Sequence, residues 1–149
     1  MKSKVIGIGN RIMSDDAIGN LIAEELKEVL EKLGVEVIVG ETDIEYCLSC
    51  IEDGDVLFII DATLYGLEPG TLTILELESC KEDYDKGYSQ HQLSLIKLLS
   101  NCSVKKVSGY IVGIEVSNVG FGVEISEILK NNFNEIKQRV YDFITSKGE

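Results

Sequence analysis

The run Asp55-Val56-Leu57-Phe58-Ile59-Ile60-Asp61 sets five consecutive large apolar side chains between two aspartates. It is far too short to cross a membrane, and it lacks the in-and-out alternation of a strand with one wet face. A strand covered on both faces has this pattern, which is that of a central strand in a parallel sheet. Parallel neighbours need a crossover between them, usually a helix, so the rest of the chain should alternate strands with helices.

It does. Lys4 to Gly9 reads as a short buried strand, after which Ile18, Leu21, Ile22, Leu26, Val29, Leu30 and Leu33 recur at helical spacing and stop at Gly34, a natural C-terminal cap. Val35 to Val39 reads as a second strand, and Ile44 to Ile51 as a short helix that ends by Gly54. Past the turn Gly66-Leu67-Glu68-Pro69-Gly70, the alternation in Thr71 to Leu77 predicts a less buried strand, followed by a polar loop through Gly87. Leu93, Leu95, Ile96, Leu98 and Leu99 predict a helix, Lys106 to Ile114 a further strand, and Ile125 to Ile144 a closing helix. The expected fold is α/β: a three-layer αβα sandwich around a mostly parallel twisted sheet, with residues 1–149 as a single domain.

Charge and cysteine content narrow the function classes. A formal charge of −12 argues against nucleic acid or an anionic membrane as partner, because the lysine and arginine footprint for phosphate is missing. The N-terminal apolar run is too short for a signal peptide, so the cytoplasm is the expected location. Cys47, Cys50, Cys80 and Cys102 then read as reduced thiols, mostly small buried apolar groups. Cys47-Leu48-Ser49-Cys50 has C-x-x-C spacing, but there is no second such pair to complete a four-thiolate zinc site.

The segment Gly7-Ile8-Gly9-Asn10-Arg11-Ile12-Met13-Ser14-Asp15-Asp16 joins the first strand to the first helix. Ser14 reads as a helix N-cap, with Asp15 and Asp16 in the first turn, where negative charge favours the helix dipole. A dinucleotide loop is excluded by Ile12 at the third glycine position and by two carboxylates where a pyrophosphate would need positive potential. In an open parallel sheet the functional crevice lies beyond the carboxyl ends of the strands, and Asp16 follows the first strand while Asp61 closes the third. If the helix after His91, the one histidine, starts at the same rim, then Asp16, Asp61 and His91 form an O,O,N ligand set for a divalent first-row metal.

These residues resemble the hydrogenase maturation endopeptidases, which trim the C-terminal tail from the large-subunit precursor of nickel–iron hydrogenases. The family pattern is a G-x-G-N-x-L-x-x-D-D/E turn, a strand ending in D-A and an S-x-H segment. Here these read Gly7 to Asp16, Ile60-Asp61-Ala62 and Ser89-Gln90-His91, in that order. The likeness extends to Gly113-Ile114-Glu115 and to Gly120 and Gly122 before the last helix. Ile12 stands where leucine is usual, Ala17 where glycine often follows, and Val116 where many members have proline.

The resemblance implies an endopeptidase whose catalytic and metal-contacting residues are Asp16, Asp61 and His91, touching nickel already carried by the precursor or another divalent metal in its place. A non-catalytic checkpoint module that binds the metallated precursor is the alternative. An aspartic dyad of Asp16 and Asp61 would need the carboxyls in contact and a raised apparent pKa. A serine or cysteine nucleophile would need the one histidine as its base, and no G-x-S-x-G elbow is present. The peptide cleft is expected among the loops near Asp16, Tyr65 to Gly70 and Asp83 to Gln90, with Val116 to Gly122 closing it.

Overall fold

The structure, a computed structural model, describes residues 2–77 and 106–147. Its strands are β1 (Ser3–Ile8), β2 (Glu36–Glu41), β3 (Val56–Thr63), β4 (Leu72–Glu76) and β5 (Ser108–Glu115). They form one five-stranded sheet in the order β2-β1-β3-β5-β4. Every neighbouring pair is parallel except β4 and β5, which leaves the antiparallel strand at an edge. The described helices are α1 (Ile18–Lys32), α2 (Ile44–Ser49) and α3 (Glu127–Lys147). This is the α/β architecture expected from the alternation of apolar runs, with Gly34 in the left-handed conformation (φ 86°) just past α1.

The unbroken apolar run of β3 is explained by two cores, one on each face of the sheet. Phe58, Ile60 and Ala62 enter the first, against Ile18, Ile22, Ala23, Leu26 and Leu30 of α1 and Leu129, Ile136, Val140 and Ile144 of α3. Leu57 and Ile59 enter the second, with Ile6, Ile8, Ile38, Ile51 and Cys47 of α2. Each such fully buried aliphatic or phenyl side chain stabilises the fold by about 1.5–3 kcal/mol over its exposed state. β4 has no fully buried residue, as its edge position and its alternating sequence require.

The order of the strands locates the rim that matters. From β1 the chain crosses through α1 to β2 on one side, then returns through α2 to β3 on the other side of β1. Where crossovers depart in opposite directions, the carboxyl ends of the two central strands are left open between them. Here those strands are β1 and β3, in register from Ser3 with Val56 to Gly7 with Ile60.

The opposite end is closed by a buried ion pair. Lys4, 4% exposed, places Nζ 2.9 Å from Asp55 Oδ2 and donates to Cys50 O at 2.7 Å, while Asp55 also accepts from Glu52 N. Burial alone lowers the lysine pKa, but the hydrogen bond and charge of Asp55, with Glu36 and Glu52, outweigh it and hold the group above its usual 10.5. Because the folded value is the higher, this stabilisation is complete below the unfolded pKa and is lost as pH rises through the folded one. Lys4→Met leaves Asp55 buried without its cation and is expected to cost about 3 kcal/mol. Thermal melts between neutral pH and strong alkali check this: the wild type should lose its advantage over Lys4→Met only in the alkaline arm.

One local expectation is corrected. Ser14 does not cap a helix: it has φ 48°, donates from Oγ to Glu124 O at 3.0 Å, and opens the 3-10 turn Ser14–Ala17, which carries no side-chain cap. The expected polar loop through Gly87, the helix over Leu93 to Leu99, and Cys80 and Cys102 lie outside the described residues.

Candidate functional site at the carboxyl rim

The Ser14–Ala17 turn rests directly on the ends of the two central strands. A Cβ at Gly9 would sit 2.1 Å from Asp16 O, and one at Gly19 would sit 2.2 Å from Ile60 O and 2.4 Å from Ile8 O. Only glycine permits main chain to approach main chain this closely. The consequence is that Asp16 lies over the end of β1, where its Oδ2 accepts from Asn10 N at 2.9 Å. Buried Asn20 at the start of α1 holds the same turn from beneath, donating to Gly9 O at 2.8 Å and accepting from Glu41 N at 3.1 Å. Arg11 bridges Glu41 at 2.9 Å and Glu24 at 3.0 Å on the outside.

Asp61 is fully buried in β3, opposite Gly113 of β5, with its Oδ1 accepting from Ala62 N at 2.7 Å. Alternation puts its side chain on the face of Leu57 and Ile59, whereas the Asp16 turn leads into α1 on the other face. Asp16, in the turn after β1, and Asp61, near the end of the neighbouring β3, thus lie at the same rim of the sheet. Each carboxylate is oriented by a main-chain amide. His91 lies outside the described residues, and so does the expected loop Asp83 to Gln90. Among the described residues no cluster of three His, Cys, Asp or Glu side chains is placed to hold a metal.

Two further buried carboxylates shape the loops around this rim. Asp15 has no exposed surface and accepts from Ser117 N at 2.9 Å, Asn118 N at 2.8 Å, Ser126 N at 2.6 Å and Ser126 Oγ at 2.8 Å. Its own amide donates to Asn118 O at 2.9 Å. Two neighbouring aspartates thus do different work: Asp16 stays at the strand end, and Asp15 pins the segment between β5 and α3. Asp61 does not close β3 as its apolar run suggested, because the strand continues through Ala62 to Thr63; Glu115 does close β5, opposite Thr63, and accepts from Thr63 Oγ1 and Tyr65 N at 3.1 Å and, through Oε2, from Gly66 N at 3.1 Å. An acid directly after a buried apolar run was the available signal for Glu115. The family resemblance singled out Asp16 but gave Asp15 no role, and no pattern in the sequence marked Asn20.

Cys47 is buried in the second core, and burial pushes its thiol up to about 11, which leaves almost no thiolate near neutrality. Cys47 and Cys50 are both free thiols. Among the described residues no helix is long and apolar enough to cross a membrane.

The profile of the HycI family, hydrogenase maturation protease, matches residues 21–142. The hydrogenase expression/formation protein HoxM of Azotobacter vinelandii is 36% identical over 97% of this chain and 72% of its own length. The hydrogenase 2 maturation protease of Escherichia coli is 35% identical over 67% of this chain and 62% of its own length. Among solved structures, the hydrogenase maturating endopeptidase HybD from E. coli superposes with a TM-score of 0.81 and 25% identity, covering 99% of this chain and 94% of the other.

Proposed function

The chain belongs to the hydrogenase maturation protease family, and from that premise we propose that it removes the C-terminal peptide from a nickel–iron hydrogenase large-subunit precursor once nickel is in place. The observation that carries this reading is the placement of Asp16 and Asp61 on one rim of the sheet, each oriented by a main-chain amide. In this reading Asp16, Asp61 and His91 touch the nickel that the precursor brings, so the metal is part of the substrate and gates the reaction. A divalent metal held beside the scissile bond would acidify a water and polarise the carbonyl. Asp16 and Asp61 would anchor that end of the substrate, either of them being a candidate acceptor for the water's proton, while His91 would supply the nitrogen contact. Asn10 N and Ala62 N fix the direction in which the two carboxylates point, as second partners of metal-contacting groups commonly do.

The test is to incubate the protein with precursor prepared with and without nickel and to weigh the products by mass spectrometry. Loss of one discrete C-terminal peptide from the nickel-loaded sample alone is the expected result. Binding without shortening would favour the checkpoint module instead, and equal cleavage of both samples would remove nickel from the recognition step.

A further inference from the structure

An exposed apolar patch adjoins the Asp16 turn and has no role in holding the fold. Phe121 is 86% exposed, Val123 83% and Ile12 54%. Single exposed apolar side chains are ordinary on protein surfaces, but these stand together. Gly122, between Phe121 and Val123, pairs with Met13 in an isolated parallel bridge, with Gly122 N donating to Ile12 O at 3.0 Å and Ser14 N to Gly122 O at 2.9 Å. Ile12 and Phe121 each precede the bridged pair, so they are neighbours across this clip. The clip is held in shape from inside by Asp15, whose carboxylate binds Ser117, Asn118 and Ser126 on either side of it. Leu64, 59% exposed, follows β3 at the same rim.

We propose that Ile12, Phe121 and Val123 form the docking surface for an apolar stretch of the precursor polypeptide, and that it presents the scissile tail to Asp16 and Asp61. This rests on the protease reading and adds where the substrate is gripped. Continuity favours that occupant, since the patch and Asp16 belong to one hydrogen-bonded unit and whatever covers the first lies beside the second. Charge disfavours a second copy of this chain, since two molecules that each carry a net −12 repel one another on approach. Rigidity fits docking as well, because a surface already fixed by internal hydrogen bonds loses little conformational freedom on binding.

The test uses the full chain and nickel-loaded precursor, with cleavage rate and direct binding both measured. Phe121 and Val123 are so exposed that Phe121→Ser/Val123→Ser should melt within a few degrees of wild type. Its kcat/KM should fall at least about tenfold, carried by KM, as expected for loss of a central apolar anchor. Leu33→Ser, at the far end of α1 and 57% exposed, should behave as wild type. If the double variant does not fold, Ile12→Ser takes its place with the same expectation. A double variant that cuts within twofold of wild type overturns the docking surface and leaves the protease reading intact. Wild type that neither cuts nor binds the precursor overturns both. Sedimentation showing a wild-type dimer and a monomeric double variant would assign the patch to self-association and overturn the proposal.

Discussion

Asp61→Asn is expected to abolish processing while leaving the protein folded, and Asp16→Asn to do the same. Asparagine keeps the volume and an acceptor oxygen, so Ala62 N and Asn10 N retain their partners. What disappears is the negative charge, which a metal contact and a proton acceptor both need. The expected loss in kcat/KM is about a thousandfold, or about 4 kcal/mol of transition-state stabilisation. Single-turnover cleavage of nickel-loaded precursor, followed by mass, measures it. A variant that keeps activity within tenfold of wild type would take that carboxylate out of the chemistry.

Asp15→Ala should instead act on stability. It strands three amides and a hydroxyl that now bond to one buried carboxylate. These donors are only partly buried, so losing their shared charged acceptor is expected to cost about 3 kcal/mol. For a domain of this size that lowers Tm by roughly 10 °C. Asp15→Asn should fall between, because its amide nitrogen would face donors rather than acceptors. A melting shift under about 3 °C for the alanine variant would show that the segment is held by something else. The adjacent substitution Asp16→Asn is the internal comparison: neighbouring aspartates should separate cleanly, one in rate and one in melting temperature.

That separation also marks where the sequence stops being readable. The strands and helices were legible because apolar periodicity reports burial directly, and the two-sided burial of β3 follows from its unbroken run alone. Asp61 was legible for the same reason, since a charge next to five apolar residues stands out. Asp15 was not, because its partners Ser117, Asn118 and Ser126 are about a hundred residues away and mostly contribute main-chain amides, which every residue carries. Ser14 misled for a related reason. Its composition and position suit an N-cap, but a hydroxyl that finds Glu124 O across the loop has no need to cap its own turn. Asn20 joins Gly9 to Glu41, a contact that exists only once β2 has been laid beside β1.

The Lys4–Asp55 pair and the Asp16–Asp61 rim stand at opposite ends of the same two strands. Six residues of extended chain separate Asp55 from Asp61, which is roughly 20 Å. Substitutions that far apart, with no shared partners, combine additively. Rim loops can therefore be exchanged without disturbing the anchorage at the amino ends of the strands.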